Sequence, residues 1–266
     1  MLTPDQSARR SGPSLADRTD TASEQALAAY WTAYVDAGRG GAPFILRNWS
    51  RSWAAFRAVH RLPVIEARPT DTPGGRAVRR VLASRASYGV PGRVLGTAVL
   101  EVPEDGDHYL LGRRAQTLRR KIRSAERHGL EVRRIDEDSQ RRALVAVANR
   151  AEQTHVDPSY RVPTPRNDDL LEHDVWLTVD DPEGAPLLLA VAPRDGELAT
   201  LRYFRTLGAS DAHSDARYLA TSALVVALAR HGVRYLLDTA SPAEQTNGLR
   251  HFQRMVGFRY ARVKLH

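Results

Sequence analysis

The densest run of reactive side chains lies between Arg113 and His128, where seven Arg or Lys residues meet one Glu. On a helical wheel Leu111, Ala115, Leu118, Ile122 and Ala125 form an apolar stripe, and Arg113, Arg119, Arg120, Arg123 and Arg127 gather beside it with Lys121 in the same run. Such a face repels itself unless an anion offsets the field, so it predicts a phosphate-binding surface; the plain alternative is a solvated face. A second basic group, Arg76, Arg79, Arg80 and Arg85, runs towards Tyr88, Gly89, Pro91 and Gly92 and reads equally as a nucleic-acid contact or a solvated loop. Carboxylate chemistry is offered by Asp238, at the C-terminal end of a predicted strand, where side chains of an α/β sheet reach the ligand crevice. A turn or capping role with Ser241 competes with that reading. His155, Asp157 and Tyr160 sit in a polar, proline-containing stretch over 154–169, and a loop of that length inside a domain is more often functional than idle. Tyr203 and Arg205 alternate with Arg202 and Phe204, so one pair faces a cleft and the other packs.

These groups need elements to hold them. Residues 94–102 (VLGTAVLEV) make a strong β run, and a turn at Asp105 and Asp107 leads into the basic helix. Gly129 closes that helix, since glycine takes the left-handed C′ conformation without steric cost. Beyond it the pattern predicts a strand at 130–135, then a helix marked by Leu144, Val145, Val147 and Ala148 with Glu152 and His155 near its end. Strands at 175–179, 187–192 and 198–204 read as an antiparallel meander. A helix over 214–231 with Ser214 as N-cap, a strand over 233–238, a helix over 244–255 and a strand over 257–265 complete the chain. Upstream, Leu27, Tyr30, Trp31, Tyr34 and Val35 predict a helix, and Phe44 to Leu46 and 64–67 read as strands around a second one. In that second helix Trp53, Phe56 and Val59 fit a packed face better than a base-stacking platform. The expected organisation is a disordered leader over 1–22, a small N-terminal subdomain over 23–92 and a main domain over 93–266.

Composition narrows the chemistry. The 266 residues suffice for one large core, and a formal net charge of +8 favours phosphate-bearing partners. With no cysteine, disulfides, thiolate zinc sites and thiol nucleophiles are excluded. No Ser-His-Asp order, zinc spacing or Walker pattern is present, and no metal site is expected. No apolar run approaches the roughly 20 residues of a membrane span, so a cytoplasmic protein is expected.

The order of elements from residue 94 onward resembles the GNAT acyltransferase fold, an α/β (α+β) architecture with a mixed, largely antiparallel central sheet flanked by helices. Three passages resemble its FemABX-type, aminoacyl-tRNA-dependent branch: RRAQTLRRKIRSAERHGLEV (113–132), LATLRYFRTLGASDAHSDARYLATSALVVALARHGVRYLLDTAS (198–241) and GLRHFQRMVGF (248–258). The resemblance implies transfer of an aminoacyl group from its tRNA ester to the amine of a small molecule or peptide, without a cofactor. The basic helix would then hold the tRNA, Asp238 and the loop of His155, Asp157 and Tyr160 would address the amine, and Tyr203 and Arg205 would line the cleft. Where that branch usually has a lysine, this chain has Gln253 followed by Arg254, so the work at the ester falls to one of these. Acetyl-CoA members have a glycine-rich pyrophosphate turn before the long helix; here 206–218 offers only Gly208, leaving Arg217 and the helix start to hold a phosphate. An acyl-CoA-dependent N-acyltransferase is therefore the alternative, and a non-catalytic nucleic-acid-binding protein on the same scaffold is a second one.

Overall fold

The computed structural model describes residues 14–38, 41–84, 92–240, 242–243 and 245–266. Its fold is mixed α/β (α+β), a curled arrangement of two sheets flanked by helices, as the sequence predicts. In chain order the elements are α1 (Leu15–Arg18), α2 (Thr21–Asp36), α3 (Gly41–Arg47), α4 (Trp49–Arg61), β1 (Val64–Ala67), α5 (Pro73–Ala83), β2 (Thr97–Glu101), α6 (Gln116–Arg127), β3 (Glu131–Arg134) and α7 (Asp138–Gln153). They continue as β4 (Val175–Asp180), β5 (Pro186–Ala192), β6 (Arg194–Asp195), β7 (Leu198–Thr200), β8 (Tyr203–Thr206), α8 (Asp211–Arg230), β9 (Tyr235–Leu237), α9 (Asn247–Met255) and β10 (Arg259–Leu265).

One sheet runs β1-β10-β2-β9-β7-β6 and the other β3-β4-β5-β8. The second is an antiparallel run whose inner strand β5, PLLLAVA, is apolar on both faces because it is covered on both. The largest core cluster fills the space between the sheets and α8, with Leu100, Leu177, Leu188, Leu224, Leu236 and Phe252 buried together. Against that core α6 lays Leu118, Ile122 and Ala125, and Gly129 at φ +72° ends the helix, its N–H bonded to the Glu126 carbonyl.

Several sequence expectations need correction. Phe44 to Leu46 belongs to helix α3, with Phe44 buried against Tyr30 and Tyr34 of α2 rather than paired in a sheet. The strand expected over 198–204 is two strands in different sheets: β7 pairs parallel with β9, and β8 pairs antiparallel with β5. The kink falls at Leu201 and Arg202, where the Arg202 N–H turns back to the Thr200 carbonyl. The long helix starts at Asp211 with Ser210, not Ser214, as its cap, and the following helix starts at Asn247. Residues 14–22 of the expected leader are folded, with Leu15 buried in the sheet core beside Val99 and Tyr235. Residues 1–13 and the positions Arg85, Tyr88, Gly89, Pro91 and Ser241 lie outside the described residues.

Candidate functional site

The break between β7 and β8 makes the site. β7 and β9 run side by side until the Leu201 N–H reaches the Leu237 carbonyl, and beyond that bond the chain after β9 and strand β8 part. Such a switch point in a sheet leaves a crevice at the strand ends. A cleft of about 510 Å³ opens there, bounded by β8, by Asp238 to Ala240, and by Leu249, Phe252 and Gln253 of α9.

Asp238 lies buried at its base. Its Oδ2 accepts a hydrogen bond from Gln253 Nε2, and Oδ1 accepts from the Ala240 N–H at 3.1 Å. Burial raises its pKa, outweighing the hydrogen bonds from Ala240 and Gln253 that favour the charged form. Gln253 is itself buried, so its amide is held by the carboxylate in one orientation.

The opposite end of the cleft is polar and tightly paired. Glu152, buried at the end of α7, accepts from Asn167 Nδ2 at 3.2 Å and meets Arg205 Nη1 at 3.6 Å. Tyr203 is buried beside it; burial first, and the Glu152 charge second, push its phenol above the ordinary value. Arg202 grips Asp169 through two hydrogen bonds of 2.8 and 2.7 Å, with Arg80 at 3.6 Å from the same carboxylate. Burial would raise the Asp169 pKa, but the bonds and charge of Arg202 outweigh it and the net shift is downward.

Gln253 and Phe258 also line a second cavity, of about 540 Å³, on the far side of α9, together with Glu24, Arg114, Arg250, Arg254 and Arg259. Arg114, Arg254 and Arg259 in turn line a third hollow of about 540 Å³ with Glu104, His108 and Leu118, beside the start of α6. The three spaces share walls in succession: Arg114, Arg254 and Arg259 belong to the first two, and Gln253 and Phe258 separate the second from the cleft of Asp238. Arg114 and Arg254 have no ion-pair partner among the described residues, whereas Arg259 stands 3.7 Å from Glu24.

The predicted residues divide between these regions. Asp238, Gln253, Tyr203 and Arg205 come together in the cleft, and Arg254 faces the basic cavities instead. Tyr203 and Arg202 both line the cleft, so the expected division into one inward and one outward pair does not hold. His155, Asp157 and Tyr160 line none of the three spaces; His155 and Tyr160 pack on each other at 5.3 Å, and the Asp157 N–H turns back to His155 Nδ1. On α6, Arg119 is folded back onto the Leu110 and Gly112 carbonyls, and Lys121 reaches Asp215 of α8 at 3.5 Å. Arg113, Arg120, Arg123 and Arg127 are exposed. Arg217 lies over the Phe252 ring at 5.2 Å and donates to Ser214 Oγ at 3.0 Å.

Sequence reading missed Arg114, which counted only as part of a charge run yet is the helix-proximal arginine that lines both basic cavities. It also passed over Asn167 and Asp169, whose value lies in partners 15 and 33 residues away.

The start of α8 is closed. The Ser210 N–H donates to His213 Nδ1, and the His213 ring lies so close to Gly208 that a Cβ there would sit 2.4 Å from Nε2. Burial holds the His213 pKa below the usual imidazole value, which suits a neutral ring accepting that bond. Among the described residues no cluster of His, Asp and Glu is placed to hold a metal ion, and no helix is long and apolar enough to cross a membrane.

No protein-family model and no curated protein matches the chain. Among solved structures it is similar to L-PGS from Bacillus licheniformis, at 13% identity and a TM-score of 0.47 over 62% of this chain and 57% of that one. It is similar to the same extent, at 15% identity and a TM-score of 0.47, to the C-terminal domain of a putative lysylphosphatidylglycerol synthetase from Agrobacterium fabrum. The chain spans 57% of the length of each.

Proposed function

We propose that the chain is an acyltransferase that moves an aminoacyl group from aminoacyl-tRNA to the amine of a small-molecule or peptide acceptor, forming an amide. The observation that carries this reading is the wall at Gln253, which has unpaired arginines on one side and the cleft of Asp238 on the other. The tRNA acceptor end enters along α6, where Arg113, Arg120, Arg123 and Arg127 meet its phosphates, and Arg114 and Arg254 guide the terminal ester inward. The acceptor amine occupies the cleft between Tyr203, Glu152 and Asp238.

Attack of the amine nitrogen on the ester carbonyl forms the C–N bond, breaks the C–O bond to the ribose and sends a proton to the departing ribose oxygen. Gln253, whose amide is fixed by Asp238, offers its second N–H to the developing oxyanion. Asp238 acts through that orientation and as a nearby proton acceptor. The closed start of α8 speaks against acyl-CoA as donor, because the His213 ring occupies the space over Gly208 where a pyrophosphate would meet backbone N–H groups.

Incubating the chain with charged tRNA and a panel of amines tests the reading. RNase-sensitive amide formation is expected. Product formation from acyl-CoA that survives RNase would overturn the donor assignment, and tRNA binding without turnover would leave only a nucleic-acid-binding protein.

A further inference from the structure

Helix α4 carries an aromatic stripe that nothing in the described structure covers. Trp49, Trp53, Phe56 and His60 recur at helical spacing, and the first three are 63%, 48% and 51% exposed. Leu46, at the end of α3, adds an aliphatic side chain that is 73% exposed. Of Trp53, Phe56 and Val59, which the sequence places on a packed face, only Val59 packs: with Ala55 and Ala58 it is buried against Tyr30, Trp31 and Tyr34 of α2. Two tryptophans and a phenylalanine exposed in one line forgo the burial that their apolar area favours, so the line marks a contact surface.

Its chemistry selects the partner. Arg47, Arg51, Arg57 and Arg61 are all exposed, and residues 41–61 contain no Asp or Glu. Arg47 and Arg51 also border a hollow of about 470 Å³ next to Asn48 and Asp36, large enough for a phosphate headgroup. The rings stack on one another, Trp49 on Trp53 at 6.4 Å and Trp53 on Phe56 at 5.3 Å, both within 17° of parallel. Stacked on one another along the helix, the rings form a continuous apolar ridge. An exposed aromatic ridge with an aliphatic tip at Leu46, flanked by arginines and free of carboxylates, matches a surface with phosphates outside and hydrocarbon just beneath.

We infer that α3 and α4 form a docking surface for an anionic lipid bilayer, in which Leu46, Trp49, Trp53 and Phe56 enter the headgroup boundary and Arg57 and Arg61 pair with lipid phosphates. The surface acts whichever reaction the cleft performs.

The chain reports on this itself: of its four tryptophans, Trp31 and Trp176 are 7% and 0% exposed, so a change in emission on binding comes from Trp49 and Trp53. The full chain should float with vesicles of phosphatidylcholine containing about a third phosphatidylglycerol, with a blue-shifted emission, and stay behind with phosphatidylcholine alone. Trp49→Ser with Trp53→Ser should abolish flotation while leaving the melting temperature in place, since both side chains are exposed. Arg57→Glu with Arg61→Glu should weaken partitioning on the order of tenfold. The inference fails if wild-type emission does not shift with anionic vesicles. It also fails if the shift appears without lipid and grows with protein concentration, which would make a second copy the occupant, or if single-stranded RNA shifts the emission and vesicles do not.

Discussion

Arg113, in the turn before α6, and Arg120, Arg123 and Arg127 on it stand without an ion-pair partner among the described residues, whereas Arg80, Arg202 and Arg205 at the cleft each meet a carboxylate. The two groups share a residue type but not an electrostatic state. Unpaired cations at helical spacing destabilise their own helix by a few tenths of a kcal/mol per pair and project a field into solvent. Paired cations project little; they fix the carboxylates and shape the wall. A surface of the first kind suits a polyanion and a wall of the second kind suits an uncharged or cationic group, so in the proposed reaction the two substrates would be sorted by charge on either side of Gln253.

The largest expected effect lies where the regions join. Gln253→Leu should lower kcat for the proposed transfer from aminoacyl-tRNA by about 10²–10³-fold with little change in KM, because the arginines proposed to hold the tRNA are untouched. A loss confined to KM would place Gln253 in binding and not in the reaction. The next effect separates the two kinds of arginine. Arg114→Glu with Arg254→Glu should reduce kcat/KM for charged tRNA about tenfold or more and make its dependence on salt shallower by roughly two in logarithmic slope. Arg205→Gln, which removes a paired cation, should leave the slope where it is. Equal slopes in both variants would erase the distinction.

How much of this was legible in the sequence follows from range. The apolar stripe and its Gly129 stop are local patterns, and both stand in the structure except at Leu111, which precedes the helix and is exposed, while Ala115, Leu118, Ile122 and Ala125 are buried. Asp238 stands out in the sequence because strand ends in α/β sheets are known positions for ligands, and Gln253 because of a resemblance in 248–258; the structure brings the two side chains together. The break at Leu201 was not legible: 198–204 is an unbroken apolar and aromatic run, and only pairing with two different sheets splits it. The loop at His155 was misleading for the opposite reason. Its polarity is satisfied within itself, through Arg161 Nε to the His155 carbonyl at 2.7 Å, and local satisfaction leaves no mark in composition. The α4 stripe misled in turn, since aromatic residues at helical spacing look alike whether they face core or solvent.

Smaller still is the mechanical share of the paired arginines. Arg202→Met removes both bonds to Asp169, a half-buried pair, and should lower unfolding stability by about 1–3 kcal/mol in urea titrations. Arg80 remains near the same carboxylate and limits the loss. The equivalent exchange at an unpaired position, Arg123→Met, should leave the urea midpoint nearly unchanged. A destabilisation as large as that at Arg202 would mean that α6 depends on its charges for folding.

The finest test uses two carboxylates, Asp238 in the cleft and Asp169 behind Arg202, whose pKa values move in opposite directions. Asp169 is shifted down, since the bonds and charge of Arg202 outweigh the effect of burial. Its stabilising contribution is therefore present above the unfolded carboxyl value of about 3.9 and lost as pH falls through the lower folded value. Asp238 is shifted up by burial, so its contribution is fully present below about 3.9 and lost as pH rises through the higher folded value. Glu24, also raised by burial, adds the same sign as Asp238 but is common to all variants compared. Melting temperatures from about pH 3 to pH 7 should then separate the two. Relative to Asp238→Asn, the wild type should lose stability as pH rises above about 4; relative to Arg202→Met, it should lose stability as pH falls below that point. Parallel curves for wild type and Asp238→Asn would show that Asp238 ionises as an ordinary carboxyl, and the contrast between an acid paired with arginine and one held by neutral donors would be lost.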